Sequence, residues 1–297
     1  MKIDYEFYET KPKIHWSRIL YITLIILMII WGGILGIYHF NTKKIENRQQ
    51  NEKIGIHNTQ RKYDINGIME LAKKEGLPVL SEQAKNDIKN IYKSDTKRIF
   101  LTFDDGPSQK VTIPILDILK QNNIKATFFV LGSRVEVNPD IAKREYEEGH
   151  YIANHGYSHV YQSIYTSPQT VLDEYNQTEN TIKNAIGQPN YSSNLFRFPG
   201  GSHGGKYAEI KEQAIGLLEQ NNIAFVNWNA LTGDAEGKNT KEEMIEDFKA
   251  TVGSKNSVVV LMHDAGAKAT TVEALPDIIN YAKEQGYEFK SFYDIMK

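Results

Sequence analysis

The chain has 297 residues, of which 40% are hydrophobic and 24% are charged, a balance that excludes a mostly disordered or fibrous protein. It contains no cysteine, which excludes disulfides, cysteine-ligated zinc, iron–sulfur clusters and thiol nucleophiles. Residues 1–97 hold 16 basic against 11 acidic residues and residues 98–297 hold 19 against 26, and this acidic larger part argues against a nucleic-acid partner.

The first element along the chain is a long apolar run that follows a short polar tail. Residues 19–38 contain no charged side chain, and as a helix they extend about 30 Å, the thickness of the hydrocarbon core of a bilayer. Aromatic residues stand near both ends, where amphipathic rings prefer the membrane interface: Trp16, Tyr21, Trp31 and Tyr38. We therefore expect residues 19–40 to form a transmembrane signal anchor and residues 1–18 to form a cytoplasmic tail.

Two other interpretations of this run are less favoured. A buried core helix rarely continues for 20 residues without a polar face. A cleaved signal peptide has a shorter apolar core and an A-x-A-like site, which does not follow here. Basic residues flank the run on both sides, so the positive-inside rule does not decide its orientation.

Residues 41–97 are polar and rich in Lys, Asn and Gln, a composition typical of a solvated spacer. Two weak helical patterns, at 65–74 and 82–92, are separated by the helix-breaking sequence Gly-Leu-Pro at 76–78. We expect this segment to be a partly helical extracytoplasmic stalk with no chemistry of its own.

From residue 98 the pattern changes to short apolar runs that alternate with longer amphipathic segments. Such alternation predicts a parallel α/β fold, and about 200 residues suffice for a barrel. The predicted strands are 99–103, 126–130, 151–153, 195–198, 223–228, 258–262 and 287–289. The predicted helices are 113–121, 139–148, 168–186, 207–221, 241–252 and 272–285.

Polar side chains follow several of the predicted strands, at the point where each strand ends. They are Asp104, Asp105, His155, His159, Arg197, Asp234 and His263. The carboxyl ends of parallel strands meet on one face of a barrel, which is where such folds carry out chemistry. Each residue alone has an ordinary explanation as a turn, cap or surface residue, but their joint occurrence at one rim favours an active site.

The residue types suit metal-assisted hydrolysis. His155 and His159 are four residues apart, which places both on one face if the segment is helical, and one carboxylate completes a two-His, one-Asp metal site. A second carboxylate can then take a proton from water while His263 protonates a leaving amine. Arg197 and Asp234 can tune these groups by charge pairing. The pattern predicts a hydrolase that cleaves an amide or an ester.

Five short segments resemble, in order, the motifs of the NodB-homology polysaccharide deacetylases, carbohydrate esterase family 4. They are TFDDG at 102–106, HGYSH at 155–159, RFPGG at 197–201, TGD at 232–234 and LMH at 261–263. The resemblance covers residues 98–297 and implies a distorted (β/α)7 barrel. It also implies removal of N- or O-acetyl groups from carbohydrate polymers with the help of a divalent metal, commonly zinc.

Carried over residue by residue, the resemblance implies which groups bind the metal and which activates water. Asp105, His155 and His159 are the expected ligands of Zn²⁺ or of another divalent ion such as Co²⁺. Asp104 is the expected general base, and Arg197 would hold it ionised and oriented.

The resemblance also assigns groups on the leaving side of the reaction. His263 is the expected general acid, and Asp234 would keep it protonated. Leu261 would line the pocket for the acetyl methyl group. The backbone N–H of Gly200 would donate to the oxyanion.

The sequence departs from the family pattern at two positions. Many relatives carry Tyr where this chain has Gly200 and Trp where it has Ala235, so the walls of the groove are expected to be trimmed while the reacting groups are retained. Trp228 could supply a stacking surface for a sugar, although a buried core role at the end of a strand is at least as plausible.

These expectations describe a membrane-anchored hydrolase that removes N-acetyl groups from N-acetylglucosamine residues of cell-wall peptidoglycan. The anchor at 19–40 would contact the membrane and place the catalytic domain, residues 98–297, outside the cytoplasm beside an acetylated glycan polymer. Open alternatives are chitooligosaccharide, poly-N-acetylglucosamine or O-acetylated xylan as substrate, or a catalytically silent barrel that binds wall glycan. The sequence indicates no obligate protein partner.

Overall fold

The computed structural model describes residues 80–237 and 240–296. These residues belong to one folded unit, Ile65–Lys297. The predicted tail, the predicted anchor and most of the predicted stalk lie outside the described residues. Within the described ranges, no helix is both long enough and apolar enough to span a membrane.

Eight β-strands in this part of the chain form a single sheet, and all of their pairings are parallel. In chain order they are β1 (Arg98–Asp104), β2 (Thr127–Val130), β3 (Tyr151–Asn154), β4 (Leu195–Phe196), β5 (Ala224–Phe225), β6 (Ala230–Leu231), β7 (Ser257–His263) and β8 (Glu288–Lys290). All seven predicted strands are confirmed. The additional strand, β6, has two residues and lies outside the apolar runs from which the strands are predicted.

Nine α-helices accompany these strands within the described ranges, and seven lie where helical patterns predict them. In chain order they are α1 (Glu82–Lys89), α2 (Thr112–Gln121), α3 (Gly132–Val137), α4 (Pro139–Glu147), α5 (Tyr161–Ile164), α6 (Pro168–Ile186), α7 (Ala208–Gln220), α8 (Lys241–Val252) and α9 (Ala269–Glu284). The helices α3 and α5 are not predicted, because six and four residues are too few to reveal a helical period.

The sheet curls until its two edges approach each other. Its strand order is β5-β4-β3-β2-β1-β7-β6, and β8 pairs with the first half of β1. In a flat sheet the edge strands would lie about 29 Å apart, because neighbouring strands are separated by about 4.8 Å. Yet β5 and β6 are joined by residues 226–229, a connection that spans at most about 19 Å. The fold is therefore a curled parallel (β/α) sheet, in agreement with the predicted α/β class.

Alternation along the strands separates a concave inner face from a convex outer face. On β1, Leu101 and Phe103 belong to a large outer cluster that the helices cover, whereas Phe100 belongs to a separate inner cluster. Strands as far apart in the sheet as β4 and β7 both contribute to the inner cluster, through Leu195 and Val259, as expected inside a curl. Residues that continue this inner series at the carboxyl ends of the strands therefore face into the curl.

Helix α1 packs into the inner cluster although it falls within the predicted stalk, 41–97. The side chain of Ser81 begins the helix by accepting a hydrogen bond from the Ala84 N–H at 3.0 Å. Ala84 and Ile88 are buried and pack with strand residues of the inner cluster. Residues 80–97 are thus part of the folded unit, and the predicted stalk overlaps it.

The inner cluster generates a prediction about stability. Phe292 is fully buried, and its ring centroid lies 5.4 Å from that of Phe100 and 6.2 Å from that of Phe129. We expect Phe292→Ala to lower the free energy of unfolding by about 3–5 kcal/mol, because the truncation leaves a cavity among aromatic rings. Urea denaturation of the purified protein measures the change. The control, Val137→Ala, removes a largely exposed side chain and should change it by less than about 0.5 kcal/mol.

Candidate active site

Strand alternation brings four of the predicted site residues to the concave face. Two of them, Asp104 and His263, end β1 and β7, and the other two, His155 and Arg197, directly follow β3 and β4. Each lies two or four positions after a residue of the inner cluster. Strand register then aligns them across the sheet. Asp104 and His263 are direct partners in the β1–β7 pair, and the Arg197 N–H donates to the Asn154 carbonyl at 2.9 Å. Residues remote in the chain therefore meet at one rim.

The three predicted metal ligands form a cluster. Asp105 Oδ1 lies 3.6 Å from His155 Nε2 and 3.3 Å from His159 Nε2, and the ligand atoms of all three lie within 4.8 Å of one another. Ligands held at about 2.0–2.1 Å around a tetrahedral zinc ion are themselves about 3.3 Å apart. Asp105 Oδ1 is also buried without a hydrogen-bond partner among the described residues. The cluster therefore fits a divalent metal ion, and its donor set does not select one metal.

The protonation of His155 suits metal binding. Its Nδ1 lies 2.7 Å from the backbone carbonyl of Arg197, which can only accept, so Nδ1 carries the hydrogen and Nε2 keeps its lone pair towards Asp105. Burial lowers the pKa of His155 to about 3, so the ring is neutral at pH 7.

A carboxylate that the sequence analysis did not single out fixes the loop between the two histidines. Asp105 and His159 both adopt left-handed backbone conformations, with φ of 75° and 57°, which side chains other than glycine rarely take. Glu174 of α6 accepts hydrogen bonds from the N–H groups of Tyr157 and Ser158, at 2.9 and 3.1 Å, and from the Ser158 hydroxyl at 2.6 Å. The detectable signal in the sequence is an acidic residue on the buried face of an amphipathic helix.

Asp104 is buried beside Arg197. Asp104 Oδ1 accepts a hydrogen bond from Arg197 Nη1 at 2.8 Å, and the same nitrogen donates to Thr102 Oγ1 at 2.6 Å. Burial raises the pKa of Asp104, whereas the charge and hydrogen bond of Arg197 oppose that rise. The other carboxylate oxygen, Oδ2, lies 3.8 Å from His155 Nε2 and so faces the triad of predicted metal ligands.

His263 and Asp234 form a second ion pair, and His263 lies beside Asp104 on the neighbouring strand β7. His263 Nδ1 lies 2.9 Å from Asp234 Oδ1, and the His263 backbone N–H donates to Asp234 Oδ2 at 2.7 Å. Burial alone would lower the pKa of His263, but the hydrogen bond and charge of Asp234 raise it to about 9. Burial of Asp234 is likewise outweighed by His263, and the pKa of Asp234 lies below its ordinary value. The imidazolium is therefore the stable form at pH 7.

The remaining predicted residues border the same rim. Leu261 precedes His263 by two positions on β7 and shares its face of the sheet. Gly200 is exposed, and no described residue accepts a hydrogen bond from its N–H. Trp228 is partly exposed and lies against Gly201, so it is not confined to the core.

The glycine of the first motif is explained by a further buried carboxyl group. A Cβ at Gly106 would lie 1.9 Å from Asp264 Oδ2, an oxygen that accepts a hydrogen bond from Thr112 Oγ1 at 2.6 Å. Burial raises the pKa of Asp264 to about 7. Asp264 therefore occupies the space beside the backbone that follows Asp105, a role the sequence analysis did not assign.

The loop contacts of Glu174 generate a prediction. Glu174→Gln keeps the side-chain shape but removes the charge and replaces one acceptor by a donor that faces N–H groups. We expect the affinity for Zn²⁺ to fall about 10- to 100-fold, as measured by competition with a chromophoric chelator. The control Asp173→Asn alters an exposed carboxylate of the same helix and should leave the affinity unchanged. Equal affinities in both variants would contradict a role of Glu174 in holding the ligand loop.

Comparison with known proteins agrees with this geometry. Residues 92–217 match the model of the polysaccharide deacetylase family. A peptidoglycan-N-acetylglucosamine deacetylase of Bacillus cereus is 33% identical over 235 residues, which cover 75% of this chain and 82% of that protein. The peptidoglycan-N-acetylglucosamine deacetylase PgdA of Listeria monocytogenes is 39% identical over 193 residues, covering 65% of this chain. This chain spans only 37% of the length of the Listeria protein.

A solved structure has the same fold. A CE4 esterase of Streptococcus mutans superposes with a TM-score of 0.63 and 34% identity, covering 73% of this chain and 92% of that one. The matched range 92–217 contains Asp104, Asp105, His155, His159 and Arg197, whereas Asp234 and His263 lie beyond its end. The chain therefore belongs to the polysaccharide deacetylase family, carbohydrate esterase family 4.

Proposed function

We propose that this protein removes N-acetyl groups from N-acetylglucosamine residues of peptidoglycan in a metal-dependent reaction. The observation that carries the proposal is a triad that fits a metal and lies beside two ion pairs. The ion pairs are Asp104 with Arg197 and His263 with Asp234. Two relatives named as peptidoglycan-N-acetylglucosamine deacetylases support the choice of polymer. The proposed resident metal is Zn²⁺ or another divalent transition metal such as Co²⁺.

On one side of the bond, Asp104 acts as the general base. When bound by Asp105, His155 and His159, a divalent ion supplies polarisation of the acetyl carbonyl and lowers the pKa of water to about 7. Asp104 accepts the proton of the attacking water, since Oδ2 faces the triad while Oδ1 is held by Arg197.

On the other side, His263 acts as the general acid. Its Nδ1 is engaged by Asp234, so the proton that can be donated to the departing amine is the one on Nε2. The unpaired Gly200 N–H is available to the oxyanion of the tetrahedral intermediate. Leu261 lies on the same face as His263 and offers an apolar contact to the acetyl methyl group.

We further propose that residues 19–40 anchor the enzyme in the cell membrane with the catalytic domain outside the cytoplasm. A 20-residue uncharged run and a polar segment behind it support this arrangement. Cell fractionation followed by external protease treatment tests it. Recovery of the chain in the membrane fraction, with the catalytic domain accessible to the protease, is the expected result, and a protected catalytic domain would contradict it.

The central test is acetate release from purified peptidoglycan by the Zn²⁺-loaded full-length protein. We expect release that a chelator abolishes and that Asp104→Asn reduces about 10²- to 10⁴-fold, because the variant lacks the general base. Asp104→Asn should retain its metal, as measured by elemental analysis, because Asp104 is outside the ligand triad.

Parallel assays with chitooligosaccharide, poly-N-acetylglucosamine and acetylated xylan compare the polymers. Preference for one of these over peptidoglycan would contradict the proposed substrate. Absence of acetate from every polymer would instead support a catalytically silent glycan-binding barrel.

The two ion pairs generate a prediction about pH dependence. General-acid catalysis needs protonated His263, so kcat should fall as the pH rises through about 9, the pKa of this residue. Asp234→Asn removes the negative charge that raises this pKa, so the alkaline limb should move to lower pH, towards the ordinary value of 6.5 or below. A pH profile of kcat measures the shift. An unmoved alkaline limb would show that His263 is not the acid responsible for it.

A further inference from the structure

Two consecutive glycines at the active-site rim each lie against an aromatic side chain. Gly200 and Gly201 have φ of 72° and 78°. A Cβ built on Gly200 would lie 2.6 Å from the hydroxyl oxygen of Tyr161, and one built on Gly201 would lie 3.3 Å from the ring of Trp228. The bare backbone of this pair is therefore bordered by two aromatic side chains, those of Tyr161 and Trp228.

Tyr161 lies directly beside His159, one of the predicted metal ligands. It is the first residue of α5, two positions after His159, and the two ring centroids are 5.4 Å apart. Its side chain is 39% exposed, and the adjoining Val160 is 51% exposed. Few large apolar side chains in the described part of the chain are this exposed, and these two are adjacent at the mouth of the site.

The hydroxyl group of Tyr161 is free to bind a ligand. No described residue forms a hydrogen bond with it, whereas the neighbouring Tyr165 donates its own hydroxyl to the Pro199 carbonyl at 2.6 Å. A phenol ring with a free hydroxyl offers an apolar face and a polar edge together. A pyranose ring presents the matching surfaces, an apolar C–H face and a rim of hydroxyl groups.

We propose that Tyr161 binds the sugar whose acetyl group is removed, as one wall of a subsite whose floor is Gly200–Gly201 and whose other wall is Trp228. The proposal rests on the proposed function and names the part of the site that recognises N-acetylglucosamine. It also accounts for the glycine at position 200, because a tyrosine there would collide with the Tyr161 phenol. In this chain the aromatic wall is thus Tyr161 of α5, whereas many relatives carry a tyrosine at the position of Gly200, in the loop after β4.

The test uses the Zn²⁺-loaded full-length protein and two substrates, the pentamer of N-acetylglucosamine and 4-nitrophenyl acetate, an acetyl ester without a sugar. We expect Tyr161→Ala to raise KM for the pentamer about tenfold or more, to change kcat less than about threefold, and to leave ester hydrolysis and Zn²⁺ affinity unchanged. Tyr161→Phe, which loses only the hydroxyl, should raise KM about two- to fourfold. The control Val137→Ala removes an exposed apolar side chain from another helix and should have no effect.

Two results would overturn the proposal. An unchanged KM in Tyr161→Ala would show that the side chain does not contact the sugar. Equal losses on both substrates together with weaker Zn²⁺ binding would show that Tyr161 only supports His159.

A binding measurement separates this proposal from the proposed function. If the wild-type protein releases no acetate from the pentamer, the proposed function fails, and the pentamer Kd from tryptophan fluorescence still decides the role of Tyr161. A weaker Kd in Tyr161→Ala supports the subsite, and equal values refute it.

Discussion

The buried guanidinium of Arg197 is the interaction on which the rest of the site depends. Its side chain is fully buried, pairs with Asp104, and donates to the carbonyls of Val226 and Asn227, each at 3.3 Å. Its own carbonyl holds the ring of His155. An unpaired charge at this depth would cost several kcal/mol, so the base and the guanidinium stabilise each other. One residue thus links the proposed general base, a predicted metal ligand and the segment that joins the two edges of the sheet.

Separate counter-ions would allow the proposed acid, His263, and the proposed base, Asp104, to work at one rim. Asp104 and His263 stand at the same level of neighbouring strands, and without other partners they would pair with each other. Arg197 engages Asp104, and Asp234 engages His263, so each group has a charged partner of its own. The pKa of His263 is raised to about 9 and its proton stays available at neutral pH. Such divergence of environments is how one site supplies both acid and base.

The two histidines of the predicted metal site and one wall of the proposed sugar subsite lie on one continuous stretch of chain, residues 155–161. Glu174 holds the turn that ends in His159 by accepting hydrogen bonds from the Tyr157 and Ser158 N–H groups, and α5 begins two residues after His159 with Tyr161. Because the chain reverses within a few residues, the ligand and the aromatic ring are placed by the same local geometry. A polymer that binds against Tyr161 would therefore be positioned relative to the metal without any movement of separate elements.

Much of the fold follows from the sequence alone. The alternation of apolar runs with amphipathic segments predicts seven of the eight strands and seven of the nine helices in the described ranges, because hydrophobic periodicity reports burial directly. The polar residues after the strands predict the site, because parallel strands bring their carboxyl ends together. The three elements that are not predicted, β6, α3 and α5, are short and lie outside the apolar runs and amphipathic segments of the sequence, so no pattern marks them.

The amino-acid sequence supplies the reactive side chains: a carboxylate and two histidines suited to a metal, a second carboxylate, a third histidine and their charged partners. How these groups meet, and which contacts support them, depends on the folded chain. The acceptor for the His155 ring, the clamp on its loop by Glu174 and the approach of Tyr161 to Gly200 are contacts between segments that are separate in the chain. They depend on strand curl and backbone angles, and no local pattern encodes distances across a sheet.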